Sequence, residues 1–322
     1  MCTWRTQRTK NEGELSRGAL MKSTRDGFGE GLLEAGKNKN VWVVTANLGE
    51  STRANAFAKK YPKRFIDVGV AEQNMIGIAA GLASTGKTVV ATSFAAFSPG
   101  RSFDQIRVSV ALNKLPVIIV GSHAGLTVGE DGATHQALED LALMRSLPGM
   151  TVLSPADFQE ARELTKLAIK KNAPCYLRLS RQGFADCVKE KPVLGKAAII
   201  RKGKHITLCV TGPLLAHVLE AAELLAKQGI SCEVINYSTI KPFDSTTVTK
   251  SGKKTGKIIS FEEHQTAGGL GSAIAEHLTI PIPLKIVGVT NRFGTSGTAS
   301  ELLKKFGLDV AGIVQEVIHA LQ

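Results

Sequence analysis

The sequence predicts an α/β protein made of two doubly wound domains. Short runs of Val, Ile, Leu and Ala alternate with longer amphipathic or small-residue stretches from Lys22 onward. That is the pattern of parallel strands covered by helices on both faces. The chain has 322 residues, 43% hydrophobic and 21% charged, enough for two cores rather than one. A charged stretch at 189–204, holding Pro192 and Gly195, interrupts the alternation once. These observations place an N-terminal extension at 1–20, a first domain at 21–188, a linker at 189–204 and a second domain at 205–322.

In chain order, Thr24-Arg25-Asp26 opens a helix that Gly36 stops. A buried strand at 41–46 ends in Asn47-Leu48-Gly49, and Ser51 opens a helix through Lys60. The strand at 65–69 turns at Val70-Ala71 into a helix at 73–83 of almost only Gly, Ala, Ile, Met and Leu. Such a helix reads as buried on most sides. A strand at 88–94, an amphipathic helix at 101–113 and a strand at 116–122 follow, then the turn-rich loop HAGLTVGEDGATH at 123–135. A helix at 136–147, a strand at 151–154, a helix from Pro155-Ala156-Asp157 to Lys171 and a strand at 175–180 complete the first domain. The second domain has strands at 206–211, 232–237, 257–261 and 285–289, and helices at 214–227, 269–278, 298–306 and 310–321. Parallel sheets bind ligands beyond the carboxyl ends of their strands. The segments placed there are 47–51, 70–72, 94–100, 123–135 and 180–182.

Composition narrows the function classes. The net charge of +12 is spread along the chain, and aromatics are only 5%. This speaks against a nucleic-acid footprint and for anionic small molecules or an acidic partner subunit. No run approaches the roughly 20 apolar residues of a membrane span. The 5 cysteines form no CxxC and no metal-ligand pairing; Cys175 and Cys209 sit in apolar runs, as buried thiols do in a reducing cytoplasm. Residues 1–20 lack the apolar segment of a secretory signal and include Glu12 and Glu14, unlike a transit peptide. They are expected to be a disordered extension ahead of Met21.

Several polar or aromatic residues at the strand ends stand out, each with an ordinary reading beside a functional one. Glu72 begins the small-residue helix. It is either an acid in a first helical turn, favoured by the helix dipole, or a carboxylate at the entrance to a packed interior. Phe94 and Phe97 follow a strand and are either core residues or a flat wall for a planar ligand. His123, Asp131 and His135 lie eight and then four residues apart on a glycine-rich loop, which is not a zinc pattern, so no metal site is assigned. Arg25, Ser51 and Arg181 would each be routine on a surface. Gly268-Gly269-Leu270-Gly271 lacks the GxGxxG spacing of a nucleotide loop and reads as tight helix–strand packing. Glu262, Glu263 and His264 read as structural, with a subunit contact or a small regulatory site as the alternative.

Taken together, the blocks DVGVAEQNM, SFAAF, FDQIR, HAGLTVGEDGATHQALEDLALMRSLPGMTVLSPAD, LRLSRQ, SFEEHQTAGGLGSAIAEHL and NRFGTSG resemble the C-terminal half of transketolase. The resemblance runs from about Met21 to the C-terminus and is to the separately encoded subunit of a split, thiamine diphosphate-dependent enzyme. It implies a pyrimidine-binding fold followed by a transketolase C-terminal-domain fold. It also implies an N-terminal partner subunit whose Gly-Asp-Gly motif and downstream Asn hold the diphosphate with Mg²⁺ (or Ca²⁺), since this sequence has no such motif. Self-association through both domains, an α₂β₂ assembly, sugar phosphate substrates and a cytoplasmic location follow from it, with no nucleic acid and no membrane among the partners.

Residue by residue, the resemblance makes Glu72 the carboxyl that activates the cofactor's aminopyrimidine and makes Phe94 and Phe97 the pyrimidine wall. His135 and Asp131 contact hydroxyls and the oxygen near the reacting carbons, and His135 takes part in proton movement. Arg25, Ser51, Arg181 and His123 form the sugar's phosphate handle. Two departures are visible. Gly100 stands where many transketolases carry a third aromatic, in a run to Arg107 that is one residue longer, with Phe103 a candidate substitute. Asn47 stands where an Asp is usual. The implied activity is transfer of a two-carbon glycolaldehyde unit from a ketose phosphate to an aldose phosphate, in the pentose phosphate pathway. The alternatives are an enzyme like 1-deoxyxylulose-5-phosphate synthase or the beta subunit of 2-oxoacid dehydrogenases, or a non-catalytic regulatory subunit of the same fold.

Overall fold

The computed structural model describes residues 21–322; the extension expected at 1–20 lies outside the described residues. The strands, in chain order, are β1 (Val41–Thr45), β2 (Phe65–Asp67), β3 (Thr88–Phe94), β4 (Val117–Ser122), β5 (Thr151–Leu153), β6 (Cys175–Arg178), β7 (Ala198–Arg201), β8 (Ile206–Val210), β9 (Cys232–Asn236), β10 (Thr239–Lys241), β11 (Ile258–Gln265) and β12 (Leu284–Val289). They form a seven-stranded sheet, β10-β5-β6-β4-β3-β1-β2, and a five-stranded sheet, β12-β11-β8-β9-β7. All pairings are parallel except those of the edge strands β10 with β5 and β7 with β9. The protein is therefore α/β with two mixed, mostly parallel sheets.

Strand periodicity fills two layers around the first sheet. Val89, Ala91, Val117 and Ile119 point into a core shared with Met75, Ile76 and Ala79 of the helix Glu72–Ser84. Their neighbours Val90, Ile118 and Val120 point the other way. There they meet Phe28 and Leu32 of the helix Thr24–Ala35 and Leu164 and Ala168 of the helix Phe158–Lys171. Alternation by two in the strands thus buries both faces of the sheet. One face of the second sheet packs in a core from Leu208 and Val210 to Leu302 and Val317, which also takes in Leu126 and Leu138 of the first domain, while Cys209, Ile235 and Ile258 on its other face join the first core.

The connection from β1 runs outward to β2, whereas β3 lies on the other side of β1 and leads on to β4. The crevice between the ends of β1 and β3 is the switch point where such sheets bind ligands.

The structure corrects several expected boundaries. The stretch 189–204 is not all linker: β7 lies inside it and pairs with β9. The expected 51–60 helix begins only at Asn55, so Ser51 sits in the preceding turns. The expected 136–147 helix is shortened to Asp140–Ser146. The stretch 101–113 is not one regular helix. It is a 3₁₀ turn (Gly100–Ser102), an α turn (Phe103–Gln105) and a π turn (Ile106–Ala111), the wide turn that interrupts helices near functional sites. The helix Glu72–Ser84 is buried on one side only; Gln73, Asn74, Gly77 and Gly81 are exposed. β10 and the helix Ser245–Thr255 have no counterpart in the sequence reading.

Candidate active site

Glu72 occupies the first turn of its helix with the side chain 2% exposed. One oxygen, Oε2, accepts a hydrogen bond from Arg101 Nη1 at 2.9 Å. The other, Oε1, is buried with no hydrogen-bond partner. A buried carboxylate oxygen without a donor is costly in a closed interior, and Glu72 Oε1 shares that state with Asp140 Oδ1. The Arg101 guanidinium also lies over the Phe97 ring, 4.8 Å from its centroid, and so joins Glu72 to the aromatic wall.

Phe94 and Phe97 stack with ring centroids 5.9 Å apart and planes 25° from parallel. His123 lies 3.9 Å from the Phe94 ring and His135 lies 5.3 Å from that of Phe97, edge-on. Gly100 leaves open space: a Cβ there would meet no atom within 4 Å. Phe103 packs against the hydrophobic core instead.

The four basic and hydroxyl residues expected to share a site lie together beyond β1, β4 and β6 and at the start of the first helix. Arg25, in that helix's first turn, donates through Nη1 to the Ser51 carbonyl at 3.0 Å and to His123 Nε2 at 3.2 Å. An arginine can only donate, so Nε2 accepts, Nδ1 carries the proton, and the 2.9 Å contact of Nδ1 with Ser122 Oγ is a donation to the hydroxyl. Burial, reinforced by the positive charges of Arg25, Arg181 and Arg53, pushes the His123 pKa down to about 3. His123 is therefore neutral at physiological pH. Its φ of +58° is unusual for a non-glycine residue. Arg25 Nε is a second buried polar atom with no partner. Arg181, half-exposed, donates to the Val128 carbonyl at 3.0 Å and stands 3.5 Å from Asp131 Oδ2. His135 Nδ1 contacts Thr134 Oγ1 at 2.9 Å.

Seven of the nine candidate site residues are linked by contacts, from Glu72 through Arg101 to Phe97, Phe94 and both histidines, and on to Arg25 and the Ser51 carbonyl; Arg181 and Asp131 form a separate pair, and the Arg181 charge is felt at Arg25 and His123. Arg101 is the residue that sequence reasoning missed. Its only signal is that it follows the phenylalanine pair, and a half-exposed arginine in a turn carries no pattern of its own. Asn47, where an Asp is usual, has φ +58° and donates its N–H to Asp67 Oδ1 at 2.9 Å. Asn tolerates that left-handed backbone well.

Glu262, Glu263 and His264 are not a surface feature. Glu262 accepts the N–H groups of Leu270 and Gly271, at 2.7 and 2.9 Å, which caps the helix Leu270–His277. Glu263 binds Thr127, and His264 Nε2 lies 3.4 Å from the Ala142 N–H. The glycine run is packing too: a Cβ on Gly269 would stand 1.8 Å from Glu262 Oε2.

Comparison with known proteins meets the same architecture. Residues 21–185 match the family model of the transketolase pyrimidine binding domain and residues 195–313 that of the transketolase C-terminal domain. A protein of Methanocaldococcus jannaschii provisionally named transketolase C-terminal section is 41% identical over 94% of this chain and 98% of its own length. A 6-deoxy-6-sulfo-D-fructose transketolase subunit of Clostridium sp. (strain MSTE9) is 43% identical over 90% of this chain and 92% of its own. A solved structure described as a split gene transketolase, an inactive beta4 tetramer, superposes with a TM-score of 0.87 at 41% identity, covering 93% of this chain and 98% of that one. With both domains matched in order and relatives of its own length matched nearly end to end, the chain belongs to the transketolase family.

Proposed function

We propose that this chain is the C-terminal subunit of a two-chain transketolase that moves a two-carbon glycolaldehyde unit from a ketose phosphate to an aldose phosphate. The observation that carries the reading is the Glu72 carboxylate. It is buried, tied on one oxygen to Arg101 and free on the other, and the same Arg101 lies against the phenylalanine wall. The residues around Glu72 fit the pyrimidine of thiamine diphosphate: a flat apolar wall and a carboxyl oxygen with no donor. When bound, that cofactor supplies an acidic ring carbon as the nucleophile toward the ketose carbonyl.

In this reading, Glu72 holds the pyrimidine ring nitrogen through Oε1 and favours the tautomer that can accept the ring carbon's proton. Phe94 and Phe97 hold the ring flat. His135 and Asp131 orient the sugar hydroxyls, and His135 moves a proton to or from the oxygen beside the breaking carbon–carbon bond. Arg25 and Arg181 grip the phosphate with help from Ser51 and the neutral His123. That remote grip supplies binding energy which orients the reacting end.

The diphosphate and its Mg²⁺ belong, in this proposal, to a partner subunit in an α₂β₂ assembly. The exposed side of the Glu72–Ser84 helix, where the small residues Gly77 and Gly81 lie with Gln73 and Asn74, and the exposed Val70 and Leu112 offer a surface for it. The names of the relatives of this length, a C-terminal section and a split gene product, favour the same division. A second reading keeps the chemistry and changes the sugar. The Clostridium relative is named for a sulfonated fructose, and a two-guanidinium site suits a sulfonate as it does a phosphate.

The test is to co-express this chain with a subunit carrying the Gly-Asp-Gly motif and to measure glycolaldehyde transfer with phosphorylated and sulfonated donors. Transfer is expected only from the pair. Full transfer by this chain alone would overturn the proposal.

A further inference from the structure

The loop 123–135 carries His123, Asp131 and His135, yet its own structure is thin: glycine turns and a single 3₁₀ turn at Leu126–Val128. Much of what holds it comes from the second domain. Glu263, near the end of β11 and 3% exposed, accepts two hydrogen bonds through Oε2, from the Thr127 N–H at 3.0 Å and the Thr127 hydroxyl at 2.9 Å. The Glu263 carbonyl is itself fixed by Arg178 Nη2 at 2.8 Å. Gly125, with φ +87°, passes so close that a Cβ would stand 2.6 Å from Glu263 Oε2.

On either side of the Asp131–His135 segment the same domain reaches in again. Ser296 Oγ donates to the Glu130 carbonyl at 2.6 Å, and Gln136 Nε2 donates to the Thr295 carbonyl at 3.0 Å. These ties bracket Asp131 and His135. An apolar side chain could fill the space of Glu263 at lower desolvation cost. A carboxylate that accepts both donors of one residue fixes a position as well as a volume.

We propose that Glu263 is a positioning residue for the transfer reaction: from the second domain it holds the loop 123–135, and with it Asp131 and His135, in the shape that meets the sugar. This rests on the reading above that the loop orients the sugar.

Two measurements test it, on Glu263→Gln and on Thr127→Val, which is isosteric and leaves the carboxylate in place. Hydrogen exchange on the isolated chain reads the tie. Amides 124–135 are expected to exchange about tenfold faster while those of β3 and β4 hold. Kinetics on the assembled pair read the positioning. The kcat for a ketose phosphate is expected to fall about tenfold, roughly the worth of one charge-assisted hydrogen bond, with thiamine diphosphate binding by circular dichroism unchanged. A three-carbon 2-oxo acid donor, lacking the remote hydroxyls, is expected to lose less. Unchanged loop exchange, or a rise shared by β3 and β4, overturns the tie. Faster loop exchange with unaltered kcat overturns the positioning. A wild-type pair that transfers nothing removes the functional reading and the transfer role of Glu263 with it, while the exchange result stands by itself.

Discussion

Both domains place carboxylates at or beyond the ends of parallel strands, and the two sets differ in how they are satisfied. In the first domain, Glu72 keeps one oxygen buried and without a donor, and Arg25 keeps an equally orphaned Nε. In the second, Glu262 has both oxygens bonded by backbone N–H groups and Glu263 is bound to Thr127. Acid type, strand end and burial are shared. An unmet hydrogen-bonding group is not, and in the function proposed above that difference separates the cofactor's carboxyl from a structural clasp.

The sharpest test of that contrast exchanges the roles. Glu72→Ala is expected to lower glycolaldehyde transfer by the assembled pair about a hundredfold or more while leaving urea unfolding nearly unchanged. Glu262→Ala should do the reverse, losing stability through its abandoned helix cap. If Glu72→Ala retains full transfer, the distinction collapses.

A smaller effect separates the anion grip from the chemistry. Arg181→Ala should raise KM for phosphorylated sugars about tenfold, roughly 1.4 kcal/mol, and barely change it for unphosphorylated ones. Equal effects on both would remove Arg181 from the phosphate handle.

Glu160 extends the comparison to pH. It is buried, accepts the Ala156 N–H at 2.7 Å and the Asn236 amide at 2.9 Å across the domain junction, and burial pushes its pKa from 4.5 up to about 7. A carboxyl whose folded pKa is raised stabilises the fold below its unfolded pKa and loses that contribution as pH rises through the folded one. Stability should therefore decline from pH 4.5 through about 7, by at most about 1.4 kcal/mol per pH unit for this one proton. Urea midpoints of Glu160→Gln should show a flatter profile across that window; an unaltered slope would assign the decline to other groups.

The smallest effect contrasts two glycines. Gly100→Ala adds a methyl to open space and should leave stability within about 0.5 kcal/mol. Gly269→Ala drives a Cβ into Glu262 and should destabilise markedly in the same unfolding assay.

The alternation of strands and helices was legible because buried parallel strands are written as short apolar runs. The nine candidate residues could be picked out because most stand beyond those runs in a recognisable order; their roles belong to the function proposed above. The helix Ser245–Thr255 was not legible, because its sequence is STTVTKSGKKT and it packs with hydroxyls: Thr207 Oγ1 lies 2.6 Å from Ser251 Oγ and 2.7 Å from Thr255 Oγ1. β7 was hidden because AIIR lies in a lysine-rich stretch and pairs only on one side. The Glu72 helix reads as buried on most sides because Gly and Ala carry no polar mark, whether they face a core or a surface. Arg101 became visible only when the turn after Phe97 brought it back onto Glu72.

The antiparallel strand β10 belongs by sequence to the second half and by hydrogen bonding to the first sheet, where it lies against β5. A fragment stopping short of Thr239 would leave β5 as a bare edge, open to pairing with other chains and to aggregation. The two halves are therefore poor modules for recombination. A chimera joining this pyrimidine-binding sheet to another relative's C-terminal domain must import a strand that fits the old sheet as well as a domain that fits the old loop.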